Sequence, residues 1–312
     1  MINFRFHLIS LIAVFLALGL GIVVGSTVVD DAIVDRLERD IDEVRTESAE
    51  RTRENDELRD QLATAERYTE DLAPFAVEAR LAEIPVAVIA ERGVDDDRVG
   101  DTVDMLRAAG AEIPGVLWLE PSWKLEDVEE VRALKEATGA TGSKVAARAL
   151  ALDALATRLV EGPPAAGEAA ESGDLIAALR SAGFLGYDGD DAALAEFSAR
   201  PARALLVTGT RSELGQDGVT LATARAFAEA GVATVVGEVY EAGDENAPVQ
   251  GATLAPIRTD DAVADQISTV DHLDVVAGRV AAVLALEDLG RSVVGHYGYG
   301  SDAGGPLPEP QS

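Results

Sequence analysis

Hydrophobic and polar positions fall into three successive regimes along the chain. From Leu8 to Val29 the sequence LISLIAVFLALGLGIVVGSTVV holds no charged residue. At about 1.5 Å per residue this run reaches roughly 33 Å, enough for a hydrocarbon core of roughly 30 Å. From Val34 to Leu72 apolar residues recur at spacings of three and four among charged ones. Beyond Pro85 short apolar runs alternate with amphipathic stretches that end in glycine. These regimes predict a transmembrane anchor over 1–29, a coiled-coil stalk over 30–73 and an α/β globular domain over 84–297. The Gly/Pro-rich residues 298–312 are expected to be a disordered tail.

A cleaved signal peptide also places a basic residue such as Arg5 before an apolar run. This run is longer than the apolar stretch of an ordinary signal peptide and lacks a clean A-x-A exit, so an uncleaved anchor is expected. Arg5 precedes the span and Asp30, Asp31 and Asp35 follow it. The retention of basic residues in the cytoplasm then puts the N-terminus inside and the rest of the chain outside. Ala17, Gly21 and Gly25 repeat every four residues, a spacing that lets two membrane helices approach closely.

In the second regime, heptad a positions are Val34, Ile41, Ser48, Asn55, Leu62 and Thr69. The d positions are Leu37, Val44, Arg51, Leu58, Ala65 and Leu72. A β-branched residue at a with Leu at d favours a parallel dimer, and Asn55 at a would fix its register. The stripe is weak between Ser48 and Asn55. A single amphipathic helix folded back on the globular domain would show a similar stripe, but a pair projecting from a paired anchor needs no further surface. A homodimer is therefore expected, held by Ala17, Gly21, Gly25, Leu37, Ile41, Val44, Asn55, Leu58 and Leu62.

The third regime predicts a strand at Ile84–Ala90, a helix at Val99–Ala109 ended by Gly110, and a strand at Glu112–Leu119. The same order returns with a strand at Arg203–Thr208, a helix at Leu221–Ala230, Gly231, and a strand at Ala233–Val239. Two β-α-β units of similar length predict a Rossmann-like, doubly wound parallel sheet. Further helices are expected at Leu125–Ala137, Lys144–Val160, Asp174–Ala182 and Val275–Leu289. Pro163 and Pro164 mark Gly162–Gly173 as an exposed connection.

Composition narrows the chemistry. The 312 residues include 56 acidic and 26 basic side chains, no cysteine, two methionines and three histidines, with a net charge of −30. The absence of cysteine excludes disulfides, thiolate clusters and a cysteine nucleophile, and soft metal ligands are few. The acidity argues against nucleic acid as a partner, because phosphates need a basic footprint. It is shared between the stalk and the globular region, which points to solvation. The loop TGTRSELGQDG after Val207 matches neither common phosphate-binding glycine motif. Asp95, Asp96 and Asp97 would repel a phosphate and suit a helix N-terminus. His7, His272 and His296 lack metal-site spacing, and no G-x-S-x-G elbow is present. No catalytic, cofactor-binding or metal residues are assigned, and an enzyme is not expected.

One stretch is distinctive: Ile267 to Gly300, ISTVDHLDVVAGRVAAVLALEDLGRSVVGHYGYG. With the N-terminal MINFRFHLISLIAVFLALGLGIVVGS and the charged stalk, it resembles the MctB family of mycobacterial-type copper transport proteins. The residues that carry the resemblance are Ser268, Thr269, Val270 and Asp271, then Gly278, then His296, Tyr297 and Gly298. His272 stands where the family usually has Asn and is not assigned as a ligand. The resemblance implies a cell-envelope membrane protein of copper transport, efflux or homeostasis, described for the family as associated with the outer membrane. One predicted span, without a series of alternating strands, does not make a pore. Nor is there a Cys/Met/His site of the kind Cu(I) prefers, so a role in copper tolerance is expected to run through partners. The alternative is a non-enzymatic dimeric scaffold that engages envelope or cell-division proteins.

Overall fold

The computed structural model describes residues 4–163, 174–194, 197, 203–216, 218–243 and 248–309, and for 26–34, 191, 192 and 216 the backbone alone. The predicted connection Gly162–Gly173 lies outside the described residues from 164 onward. The chain divides into two compact units, Met1–Arg67 and Tyr68–Ser312.

Helix α1 spans Phe4–Val77. In the first unit its segment Phe4–Gly25 is long and apolar enough to cross a membrane, and none of it is buried. The stalk was expected to end near Pro74, yet the helix continues through that residue. The last turn belongs to the second unit and is held because Ala73 is buried and Val77 joins the core there together with Leu81. Tertiary packing outweighs the hydrogen bond that a helical proline removes. The globular unit thus begins before residue 84.

The second unit is built on a seven-stranded sheet in the order β3-β2-β1-β4-β5-β6-β7. Its strands are β1 (Val86–Glu91), β2 (Gly115–Leu119), β3 (Leu185–Gly189), β4 (Arg203–Gly209), β5 (Thr234–Val239), β6 (Ile267–Val270) and β7 (His296–Tyr297). All neighbours are parallel except β2 and β3, which pair antiparallel. Helices α2 (Asp96–Ala108), α3 (Val128–Thr138), α4 (Lys144–Glu161), α5 (Leu175–Ser181), α6 (Val219–Glu229) and α7 (Val276–Leu289) cover both faces.

The two-residue period of a strand sends Ala87, Ile89, Leu206 and Val236 to one face, where they meet α3, α4, α5 and α6. Val86, Val88, Leu205 and Val235 point the other way, onto α2, α7 and the end of α1. Burial on both sides explains why these strands read as near-continuous apolar runs. On the first face Trp123 packs edge-on against Phe184 and donates its indole N–H to the Phe184 carbonyl at 2.8 Å. Asp95 starts α2 as its N-cap, accepting from the backbone N–H groups of Asp97 and Arg98.

The expectation of a disordered tail is corrected over residues 298–309. Gly298 donates its N–H to the Gly305 carbonyl, Gly304 donates to His296, and Pro308 is buried. Glycine makes this return possible, since Gly298 sits at φ +136°, where a side chain would be strained.

Candidate functional site

The motif residues converge at the carboxyl ends of β5 and β6. Asp271 follows β6 directly, and its side chain is wholly buried. Arg258, on the single-turn helix Ala255–Arg258, reaches it with Nη1 at 2.9 Å from Oδ2, and this guanidinium side chain is also fully enclosed. Arg258 further donates from Nε to Thr269 Oγ1, from Nη1 to the Ser301 carbonyl and from Nη2 to the Tyr297 carbonyl. Asp271 in turn accepts from the backbone N–H groups of Tyr299 at 2.8 Å and Gly300 at 2.9 Å, and from Gln250 Nε2. Burial opposes ionisation of Asp271. The His272 ring nitrogen 3.7 Å away, these two N–H groups and Arg258 nevertheless hold its carboxyl well below the usual carboxylate range.

The remaining motif residues close the same knot. Ser268 Oγ accepts from the Gly295 N–H. Thr269 Oγ1 lies 3.0 Å from His296 Nδ1 and already accepts from Arg258, so its own proton turns to the imidazole. A neutral ring fits this contact: burial first, and the Arg258 charge next, push the His296 pKa down. A Cβ on Gly298 would stand 1.9 Å from Asp271 Oδ1, and one on Gly278 would stand 1.7 Å from the His272 carbonyl oxygen. His272 is buried edge-on to Tyr299, with no hydrogen-bond partner for either ring nitrogen among the described residues. Arg258, Gln250 and the backbone of Tyr299 and Gly300 had no signal in the sequence that tied them to Asp271.

A second buried carboxylate lies between β1 and β4, whose onward connections diverge to opposite sides of the sheet. In open α/β sheets this switch point is where ligands bind. Here Glu91, at the end of β1, fills it and accepts from the hydroxyls of Thr208, Ser212 and Thr220. The flanking loops close tightly, since a Cβ on Gly93 would come within 3.1 Å of the Arg211 carbonyl oxygen. A carboxylate that already accepts from three hydroxyls offers a phosphate only repulsion. Glu238, near the end of β5, is likewise buried and accepts from the N–H groups of Gly251 and Thr253 and from the Thr253 hydroxyl. Glu238 interrupts an otherwise apolar strand run, which is a sequence signal, whereas Glu91 only ends one and carries none.

Desolvation pushes the pKa of both glutamates up, against the opposing effect of their hydrogen bonds. A carboxyl with a raised folded pKa binds more protons folded than unfolded. Its contribution is therefore most favourable below the unfolded value of about 4.3 and declines as pH rises through the folded one. Glu91→Gln, neutral at every pH, should gain stability relative to the parent chain as pH rises from 4 to 8. Urea denaturation midpoints across that range check this, and a pH-independent difference would contradict it.

The residues expected to hold a dimer lie in the first unit. Leu37, Ile41, Val44, Leu58 and Leu62 are exposed, Leu62 by 60%, and Asn55 is exposed among them. Ala17 is exposed as well, and Gly21 and Gly25 have nothing within 4 Å of an added Cβ. The a position Val34 lies where the backbone alone is described. Among the described residues no cluster of three or more His, Cys, Asp or Glu is placed to hold a metal ion.

Comparison with known proteins gives one family. The family model described as copper transport outer membrane protein, MctB, matches residues 1–308. Copper transporter MctB of Mycobacterium tuberculosis (strain ATCC 25618 / H37Rv) is 29% identical over 316 residues, covering 97% of this chain and 98% of that protein. The proteins of the same name from Mycobacterium bovis and Mycobacterium leprae (strain TN) are also 29% identical, with the same coverage. A match that runs from the apolar helix through the buried Arg258–Asp271 knot means that the chain belongs to the MctB family.

Proposed function

We propose that this chain is a single-pass envelope protein of copper transport or homeostasis, with its N-terminus in the cytoplasm and its α/β domain beyond the membrane. The observation that carries the reading is the family match over residues 1–308, which takes in apolar helix, heptad segment and α/β domain together. Relatives named copper transporters support it over nearly their whole length. The domain is read as a Rossmann-like sheet, on the strand order 3-2-1-4-5-6, with its switch point occupied by Glu91.

Copper is handled through partners in this reading. The chain has no cysteine, His7 belongs to the apolar helix, and His272 and His296 are packed within the Asp271 knot. A strain lacking the gene is expected to accumulate copper and stop growing at lower copper, with rescue by the full chain. Unchanged copper tolerance and content would overturn the reading. The purified full-length protein is expected to retain well under one copper per chain after dialysis, and tight stoichiometric retention would overturn the partner clause.

The protein is further read as a parallel dimer through its stalk, because the exposed leucines of α1 form the seam that a coiled coil buries. A chain without native cysteine allows a direct test. Leu58→Cys, at a d position, should form disulfide-linked dimers in membranes, whereas Asp60→Cys on the outer face should not. Equal crosslinking at both, or none at either, contradicts the seam. Capture of an envelope or division protein at Leu58 in place of a second copy would favour the scaffold reading.

A further inference from the structure

The chain holds 26 basic residues, of which three are lysines, Lys124, Lys135 and Lys144. All three belong to one corner of the domain, where the 3₁₀ turn Pro121–Lys124 meets the α3–α4 connection. A cavity of about 130 Å³ opens there, lined by Lys124, Leu125, Lys144, Val145 and Arg148. Every ionisable side chain that lines it is cationic, in a molecule with 56 acidic residues. Two of its lining side chains are tethered, while Lys144 and Val145 are exposed at its edge. Lys124 Nζ is held by Glu213 at 2.8 Å and Glu126 at 3.2 Å, and Arg148 Nη1 reaches the Trp123 carbonyl at 3.4 Å. Lys135 does not line the cavity but donates to the Gly142 carbonyl at 2.6 Å, pinning the turn that leads into α4.

Lys144 and Val145 of its lining open α4, an 18-residue helix. The N-cap Ser143 hydroxyl accepts from the Ala146 N–H. The N–H groups of Lys144 and Val145, both lining residues, have no acceptor within the helix. Lys144 and Arg148 are four residues apart and therefore share a helix face. Glu126 and Glu213 outweigh the charge of Lys124 by one, so the corner keeps a net charge of about +1, and the charges that face a ligand are those of Lys144 and Arg148. The Lys144 ammonium, the Arg148 guanidinium and two backbone donors around a volume too small for a nucleoside suit a tetrahedral oxyanion.

We propose that this cavity is a binding site for a phosphate group, either free or at the end of a larger molecule that stays outside. The site is independent of the copper reading and lies apart from the Asp271 knot.

The test uses the full chain in phosphatidylcholine nanodiscs, titrated calorimetrically with inorganic phosphate at constant ionic strength set by sodium chloride. One saturable site per chain is expected. Lys144→Glu should weaken it by about tenfold or more, as expected when a charge-assisted hydrogen bond becomes a repulsion. Arg148→Gln should weaken it as well, and Arg107→Ala, on α2, should leave it within about twofold. Unfolding midpoints close to that of the parent chain show that each variant is folded. Dihexanoyl phosphatidic acid below its micelle concentration separates the two sources. Binding about tenfold tighter than phosphate assigns a lipid headgroup, and equal binding assigns free phosphate or a small phosphomonoester. No saturable binding by either probe, or binding unchanged in folded Lys144→Glu, overturns the proposal.

Discussion

Replacing Asp271 with Ala is expected to cost about 3–5 kcal/mol of folding stability, the range found when one partner of a buried ion pair is removed. The substitution leaves the Arg258 guanidinium enclosed without its counter-charge. It also removes the acceptor for the N–H groups of Tyr299 and Gly300, which anchor the returning segment after β7. Equilibrium urea unfolding of the full chain in detergent measures the loss. Because the folded pKa of Asp271 is depressed, its ionised contribution is fully present above the unfolded value of about 3.9 and disappears only as pH falls through the folded one. The cost of Asp271→Ala should therefore be the same at pH 5 and pH 8. A loss below about 1 kcal/mol would mean that the pair stabilises no more than a surface contact.

Gly278→Ala is expected to be comparably damaging, at about 3 kcal/mol, although alanine favours a helix by about 1 kcal/mol. The added Cβ would sit 1.7 Å from the His272 carbonyl oxygen, and a backbone atom cannot swing aside as a side-chain tip can. Helix α7 would have to lift from the sheet that it covers through Ala281, Ala282, Ala285 and Leu286. Gly100 in α2 provides the matched control, with nothing within 4 Å of an added Cβ. Gly100→Ala should stabilise by about 0.4–1 kcal/mol. Thermal midpoints of the two variants should thus move in opposite directions, and a shared direction would show that close approach at Gly278 is not what glycine provides there.

Strands β1, β2, β4 and β5 are legible because a strand buried on both faces shows mostly apolar positions. The missed strands lack that signature. β3 is an edge strand of sequence LGYDG that becomes polar toward its exposed end. β6 is four residues long, and its Ser268 and Thr269 hydroxyls are satisfied by Gly295, Arg258 and His296. β7 has two residues. Glycines and prolines predict a disordered tail, but composition says nothing of where the backbone N–H groups of that tail find acceptors. Two of those groups found a buried carboxylate. The motif residues come from resemblance alone, and the fold gives several of them one physical reason: Thr269 and Tyr297 bond Arg258, Gly298 makes room for Asp271, and His296 holds Thr269, while Ser268 and Gly278 fit the backbone beside them.

The sequence by itself determined the apolar helix, the heptad stripe, the main strands and helices, and the poverty of soft metal ligands. Each of these follows from local spacing or from composition. Only the tertiary structure decided that the switch point is closed and that the C-terminal segment is folded. Glu91 meets Thr208, Ser212 and Thr220 across 117 to 129 residues, and Arg258 meets Ser301 across 43. A buried carboxylate and its donors need not share any sequence pattern; they need only be brought out of water together, and the sheet does that.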